Sequence, residues 1–428
     1  MKDSISYVCE GLLLIMILIY FIRAFFADDK SRIWSPVSVI SLTYLYYCSI
    51  PFWLGTIDRY SVDEIANNGY IFHIAALVSY LSILLGFSRK TDVSFSNWDN
   101  YYMQNNVRKY GIALFIIAMI GYSSFRGFHL SIATKENDSE LINGGLVYYC
   151  IFMINMCAVA GSLLLISLKL NYRQPLLYVI LAVIMIQVVF GGARWLIITI
   201  VVCMLSTYYL YPEPKKINIC LVGSLMVILF LGFSIMDKTR VRGRGLDLEK
   251  ATTLNYSDIK GGAQENYSVY WFSLMAMNRL NQTGERVYFD PFVTAALMPI
   301  PRSIFPWKPD AEYVKKIEDD VFGKGMGGGA AFLNFVEYYM AFGWLGIVVV
   351  CYIIGWIARM FWDNYDNNRD SIGAIVALSA FSAVLYSVIS RGYLAGSFPN
   401  VVLVVFLPFW LTSILRKYIF KSELQLED

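Results

Sequence analysis

Basic residues in four short elements of the sequence lie beside glycine or proline at the ends of apolar segments. They are Arg194 after Gly191-Gly192-Ala193, the alternating Arg240, Arg242 and Arg244, Arg302 and Lys308 among Pro301, Pro306 and Pro309, and Arg391 before Gly392. The guanidinium group binds phosphate oxygens through two parallel donors, and a lysine adds a point charge. Arginine next to apolar chain is costly unless it faces a cavity or an anion. These elements therefore predict a binding site for a phosphate ester or a diphosphate.

Each of these elements has an ordinary alternative. The glycines before Arg194 let the backbone approach a ligand and expose amides at a helix start, but Arg194 is equally typical of an interfacial arginine that snorkels toward water. The three alternating arginines suit either a polyanionic group or lipid headgroups. Prolines fix the path of the chain around Arg302, so its cation is expected to be held in place.

Glu337 is the acidic counterpart of these cations. It lies near the start of the apolar segment Phe335–Phe361, and Gly343 and Gly346 follow it. A carboxylate at such a position is expensive unless it is paired or functional. The sequence leaves open whether Glu337 is a structural partner of an arginine or a reacting group.

Composition shows which elements must position these residues. Of the 428 residues, 57% are hydrophobic and 16% are charged, which is too apolar for a soluble fold of this length and predicts an all-α integral membrane protein. The net charge of +3 is not concentrated in one patch, which argues against nucleic acid as a partner. All seven cysteines lie in apolar segments, and the two histidines, His73 and His129, are too few for a histidine metal site. No metal and no cofactor are expected.

Apolar segments long enough to cross a bilayer recur along the chain and predict about 11 transmembrane helices. We place them at Ile5–Phe26, Pro36–Leu54, Tyr70–Phe87, Tyr110–Phe125, Leu146–Leu168, Leu176–Phe190, Trp195–Tyr211, Ile219–Met236, Phe335–Phe361, Ile372–Ile389 and Val401–Leu415. The first of them lacks the basic start and the cleavage site of a signal peptide, so it is expected to stay in the membrane.

The distribution of Lys and Arg predicts the orientation. Basic residues concentrate in alternate connections, which are expected to be cytoplasmic, and the C-terminus falls on that side. Residues 1–428 then form a single polytopic membrane domain, with residues 237–334 as an extracytoplasmic loop between helices 8 and 9. Two stretches of this loop, 267–280 and 291–304, are apolar but too short to span, and favour a position at the interface. Its aromatic residues suit sugar stacking, but an interfacial belt is favoured.

These elements, in this order, resemble those of the Wzy-type polymerases of O-antigen and capsule repeat units. The resemblance rests on Gly191-Gly192-Ala193-Arg194, Ile300-Pro301-Arg302 with Lys308-Pro309, Glu337-Tyr338 with Phe342-Gly343 and Gly346, and Arg391-Gly392. It covers about the last 240 residues, since the first half matches only as apolar helices. The resemblance implies a fold like that of the GT-C membrane glycosyltransferases.

The resemblance also implies an activity, which is glycosyl transfer on the outer face of the cytoplasmic (inner) membrane. A glycan on undecaprenyl diphosphate would be moved onto the next lipid-linked repeat unit, with the bilayer and a chain-length-regulating co-polymerase as further partners. Arg194, Arg302 and Arg391 would stabilise the departing diphosphate, and Glu337 would serve as the base. This scheme requires no metal.

Two other functions compete with polymerisation. An O-antigen ligase uses the same donor, but related ligases are expected to rely on a histidine in the outer loop, and residues 237–334 contain none. A flippase for lipid-linked oligosaccharide would also need a cationic cavity, but carriers commonly show internal repeats and broken helices, and the sequence shows neither clearly.

Overall fold

Over the residues that the structure describes, the fold is helical with one short antiparallel strand pair. The computed structural model describes residues 2–54, 62–92, 100–126, 144–168, 194–220, 265–298, 304–307, 312–323 and 331–408, with isolated positions between 222 and 246 and at 300, 410, 411 and 414. Within these residues, five helices are long and apolar enough to cross a membrane: Ser4–Phe26, Pro36–Leu54, Gly69–Ser88, Trp344–Asn367 and Ile372–Ser390. The protein is therefore a multi-pass, all-α membrane protein. The predicted total of about 11 spans stays a prediction, and Leu176–Phe190 lies outside the described residues.

The described helices and strands are as follows. They are α1 (Lys2–Phe26), α2 (Pro36–Tyr44), α3 (Ile50–Leu54), α4 (Val62–Ser88), α5 (Asn100–Arg126), α6 (Gly144–Ser167), α7 (Arg194–Leu210), β1 (Arg240–Val241), β2 (Gly245–Leu246), α8 (Glu265–Thr283), α9 (Asp290–Leu297), α10 (Glu312–Phe322), α11 (Asn334–Phe342), α12 (Trp344–Asn367), α13 (Ile372–Ser390) and α14 (Leu394–Val401). A 3₁₀-helix covers Lys30–Trp34, and π-helical turns cover Leu45–Ser49 and Val402–Phe406.

The chain divides into two compact units. The first comprises Met1–Ser94, Gln264–Asn367 and Leu385–Pro399, and the second comprises Phe95–Ala263, Asn368–Val384 and Asn400–Asp428. In the second, α6 packs against α5 and α7. There the hydroxyl of Ser162 lies 3.3 Å from the thiol of Cys203. The prediction of a single membrane domain with an extracytoplasmic loop stays a prediction.

In the first unit, α4 packs against α1 and α12. Buried hydroxyl pairs join α2 to α4, because polar groups without water must find partners within the protein. The hydroxyl of Tyr80 lies 2.7 Å from that of Ser41, and the hydroxyl of Tyr44 lies 2.8 Å from that of Ser79. The rings of Tyr44 and Tyr80 also pack against each other, with centroids 5.3 Å apart.

The predicted helix Phe335–Phe361 is wrong as a continuous element. The chain breaks at Gly343, which has a φ of 64°, a value that favours glycine. The break separates α11, which carries Glu337, from the span that begins at Trp344. Glu337 therefore lies on a short helix outside the five candidate spans, and not inside a transmembrane helix. The last predicted span, Val401–Leu415, begins earlier in the structure, because helical structure starts at Leu394 and not at Val401.

Candidate functional site

Glu337 is the centre of a buried polar cluster in the first unit. It lies one turn into α11, and only 1% of its surface is exposed. The Tyr313 hydroxyl donates to Oε1 at 2.6 Å, and the backbone amide of Leu394 donates to Oε2 at 2.7 Å. Among the described residues each carboxylate oxygen therefore has one donor, and the two donors come from elements far apart in sequence.

Helix α10 brings Tyr313 to the carboxylate. Its apolar face buries Tyr313 and Ile317, four residues apart, which is the spacing of one face of a helix. At its C-terminal end, the ring of Phe322 stacks on that of Phe272 of α8 with centroids 5.0 Å apart. Lys316 of the same helix forms a solvent-exposed ion pair with Glu285, and such pairs add little stability. The apolar face therefore decides where the Tyr313 hydroxyl points.

The turn after α13 supplies the second donor. The Gly392 amide donates to the Phe332 carbonyl at 2.5 Å, which connects the turn to the residues just before α11. A Cβ at position 392 would lie 2.6 Å from the carbonyl carbon and oxygen of Leu333, so only glycine fits this approach. The turn then places the Leu394 amide, at the start of α14, against Glu337.

Burial dominates the electrostatics of this cluster. It raises the pKa of Glu337 to about 8, while the hydrogen bonds from Tyr313 and from the Leu394 amide act in the opposite direction. Burial also raises the pKa of Tyr313, and the negative charges of Glu337 and Asp290 and the neighbouring Tyr393 add to that rise. The phenol therefore stays protonated and remains a donor to the carboxyl group. Tyr338, the next residue on α11, is a further titratable neighbour of Glu337.

Among the side chains that the structure describes, no arginine or lysine forms an ion pair with Glu337. The donors that it does have, a phenol and an amide, are both neutral. The side chains of Arg194, Arg240, Arg242, Arg244 and Arg302 are not among those described, so the alternative in which Glu337 is the structural partner of an arginine stays a hypothesis. A carboxyl group held by neutral donors can accept a proton near neutral pH, which is the property required of a general base.

The structure brings together two of the predicted elements, Glu337-Tyr338 and Arg391-Gly392. Arg391 is the last residue before the turn, and its amide donates to the Ser387 carbonyl at 3.0 Å. For Arg194 and Arg240 only the backbone is described, at the start of α7 and in β1, where Arg240 pairs with Leu246. The remaining cations, Arg242, Arg244, Arg302 and Lys308, lie outside the described residues.

Sequence reasoning missed the role of Tyr313 and of the Leu394 amide. Tyr313 was visible only as one of many aromatic residues of the loop, although its spacing to Ile317 marks the buried face of an amphipathic helix. A backbone amide carries no sequence signal at all. Over the part of the chain that the structure describes, no group of three or more His, Cys, Asp and Glu side chains could hold a metal ion.

Comparison with known protein families gives a match, and the matched region contains the Glu337 cluster. Residues 312–423 match the family model of the O-antigen polysaccharide polymerase Wzy. The matched region includes α10, α11, Glu337 and the turn from Arg391 to Leu394. No curated protein and no solved structure matches the chain significantly.

Proposed function

Starting from the family match over residues 312–423, which supports assignment to the Wzy-type repeat-unit polymerases, we propose that the protein polymerises oligosaccharide repeat units carried on undecaprenyl diphosphate. The product would be O-antigen or a capsular or exopolysaccharide. The observation that carries the proposal is the buried carboxyl group of Glu337, held by Tyr313 and Leu394 within the matched region.

The proposed reaction is one displacement. A hydroxyl oxygen at the non-reducing end of the acceptor repeat unit forms a bond to the anomeric carbon of the donor glycan. The bond between that carbon and the diphosphate oxygen breaks, and the diphosphate leaves with the electron pair. The hydroxyl proton goes to the carboxylate of Glu337, which acts as the general base.

The environment of Glu337 suits this role. A general base works best when its pKa lies near the working pH, and burial brings the pKa of Glu337 to about 8. Among the described residues each carboxylate oxygen accepts one hydrogen bond, and in the proposed reaction a second lone pair receives the proton of the acceptor hydroxyl. Tyr313 and the Leu394 amide fix the plane of the carboxylate, so its basic lone pairs have a defined direction.

The leaving diphosphate needs positive charge, since negative charge builds on it as the glycosidic bond breaks. We assign this role to Arg194 and Arg302, as catalytic residues, with further contacts from Arg240, Arg242, Arg244, Lys308 and Arg391. Arginine can bind two phosphate oxygens at once in a defined plane. In this scheme the cations do what a bound metal does in other phosphate chemistry, so the reaction proceeds without one.

The proposal also places the protein in its cellular setting. The reaction would occur on the periplasmic or exterior face of the cytoplasmic membrane, in a GT-C-like fold, with a chain-length-regulating co-polymerase as a partner. A cysteine introduced at Gln282 and another after Lys421 should then be labelled from opposite sides by a membrane-impermeant reagent. Labelling of both from the same side would overturn this orientation.

Purified protein and a synthetic undecaprenyl-diphosphate repeat unit provide the direct test. A ladder of lengthening glycan on a gel, formed equally with and without EDTA, is the expected result. In cells, deletion of the gene should leave single repeat units that are still transferred onward. Loss of the single-unit band as well would favour a ligase or a flippase, and abolition of the ladder by EDTA would contradict the metal-free scheme.

A further inference from the structure

A second buried polar cluster lies within the helices of the first unit. Glu10 of α1 and His73 of α4 are both fully buried, with Oε1 and Nδ1 2.8 Å apart. The Ser49 hydroxyl donates to the other oxygen of Glu10 at 3.2 Å. On the far side of the imidazole, Nε2 lies 3.3 Å from the hydroxyl of Tyr270 of α8. In the tautomer that donates from Nδ1 to the carboxylate, Nε2 accepts from Tyr270, and the chain of donors is complete.

The N-terminal end of α8 makes another polar contact, with the π-helical turn that contains Ser49. The Asn266 side-chain amide donates to the Tyr46 carbonyl at 3.0 Å. Tyr46 lies in the π-helical turn Leu45–Ser49, and such turns alter the regular hydrogen-bond ladder of a helix, which makes a carbonyl accessible to an outside donor. Ser49, in the same turn, donates to Glu10. The turn therefore contributes to both contacts.

The same helix reaches the residues that carry Glu337. The hydroxyl of Ser273, three residues after Tyr270 and on the same face of α8, accepts from the Leu333 amide at 2.9 Å. Leu333 immediately precedes α11. The ring of Phe72, beside His73, lies between the two helices, with centroid distances of 5.1 Å to Tyr270 and 5.4 Å to Phe335 of α11.

We infer that Glu10, His73 and Tyr270 form a positioning network that fixes α8 and, through Ser273 and Leu333, sets the orientation of the Glu337 carboxyl group. A buried acid at membrane depth is expensive, and here the hydrogen bonds that start at Glu10 end on α8, the helix that packs against α11. The inference rests on the proposed role of Glu337. These three residues do not touch substrate in this scheme and are positioning residues, not catalytic ones.

A simple structural role is the rival explanation, and a matched pair of substitutions separates the two. Tyr270→Phe removes one buried hydroxyl and keeps the ring contacts. Tyr80→Phe makes the same chemical change at a buried hydroxyl that bonds Ser41 between α2 and α4 and takes no part in the hydrogen bonds from Glu10 to Tyr270. Both should lower the melting temperature by similar amounts, because each removes a tyrosine hydroxyl and leaves its buried partner, His73 Nε2 or the Ser41 hydroxyl, without that hydrogen bond.

Activity should separate the two variants. Tyr270→Phe is expected to lower kcat roughly ten- to a hundredfold at nearly unchanged KM, since small displacements of a reacting group are costly. Its pH profile should also shift, because the contacts of Glu337 with Tyr313 and Leu394 change. Tyr80→Phe should retain the wild-type kcat and pH profile. Equal kcat and equal pH profiles in the two variants would overturn the inference.

Ser273→Ala tests the connection from α8 to α11. It removes the acceptor of the Leu333 amide and should reproduce the loss of kcat in Tyr270→Phe. Because both changes act through α8, the double variant should lose less than the product of the two single losses. If the loss of kcat in the double variant equals the product of the two single losses, Tyr270 and Ser273 do not act through one element, which would contradict the inference.

Amide hydrogen exchange gives a reading that does not depend on the reaction. The amides of Leu333 and Leu394 should exchange faster in Tyr270→Phe than in Tyr80→Phe. If this difference appears but Glu337→Gln keeps full activity, the network stands and the proposed base is wrong. If the two exchange patterns are the same while Glu337→Gln is inactive, the base stands and the network is wrong.

Discussion

Two buried glutamates, Glu10 and Glu337, lie in the same compact unit with different kinds of partner. Glu10 lies in a candidate membrane span and contacts His73, a side chain that can carry the opposite charge. Glu337 lies on a short helix outside the candidate spans, and its hydrogen-bond donors among the residues that the structure describes are the neutral Tyr313 hydroxyl and the Leu394 amide. Both are almost completely removed from solvent.

The difference in partners separates two functions of a buried acid. An acid paired with a potential cation is held in place, and breaking such a pair leaves an uncompensated group. An acid held only by neutral donors keeps a raised pKa and can take up a proton near neutral pH. We therefore expect Glu337 to act in the reaction and Glu10 to act on geometry.

Glu337→Gln should have the largest effect. It removes the basic oxygen but keeps the size of the side chain, and loss of a general base lowers the rate by about a hundred- to ten-thousandfold. The chain-length gel with purified protein measures it. Asp363→Asn is the matched control, since Asp363 is a buried acid paired with Arg359 and bonded to Thr91, remote in sequence from α10 and α11. Near-normal polymer from Glu337→Gln would remove the proposed distinction between the two glutamates.

Arg194→Lys and Arg302→Lys should come next. Lysine keeps the charge but lacks the planar fork, so loss of a transition-state contact of roughly 2 to 4 kcal/mol should slow polymerisation on the order of a hundredfold. Arg279→Lys is the control, because Arg279 is a half-exposed arginine in a surface ion pair with Asp320. Wild-type rates in the two variants would indicate headgroup contacts and would leave Glu337 without its cationic counterpart.

Tyr313→Phe should have a smaller effect, on the order of tenfold, because it disorders the carboxyl group without removing it. The hydrogen bond from Tyr313 lowers the pKa of Glu337, so its loss should raise that pKa above its present value of about 8. The rise of kcat with pH should therefore move to higher pH than in the wild type. An unchanged profile would mean that another group titrates.

The smallest effect concerns stability. The pKa of Glu337 in the fold, about 8, lies above its ordinary value of 4.5, so its contribution to stability is fully present below pH 4.5 and is lost as pH rises through 8. The melting temperature of the wild type should therefore fall between pH 5 and pH 8 by a few degrees more than that of Glu337→Gln. Parallel curves for the wild type and Glu337→Gln would show that Glu337 is ionised in the fold.

Much of the membrane architecture follows from the sequence. Spans predicted at Ile5–Phe26, Pro36–Leu54, Tyr70–Phe87 and Ile372–Ile389 coincide with candidate spans of the structure to within two residues. Local hydropathy suffices for this, because each backbone polar group in a bilayer must bond within its own helix. Glu337 and the Arg391-Gly392 element were also identified from residue types alone, since charges beside apolar chain are rare.

The break at Gly343 and the partners of Glu337 were decided by the tertiary structure. An apolar run continues on both sides of Gly343, so the hydropathy pattern does not show that α11 ends there. The glycine permits a positive φ but does not require one. Tyr313 and Leu394 lie 24 and 57 residues from Glu337, and Tyr270 lies 197 from His73. The apolar pattern and the residue types show where a polar group is buried at a cost in free energy. Which hydrogen-bond partner offsets that cost depends on the packing of segments that are distant in sequence.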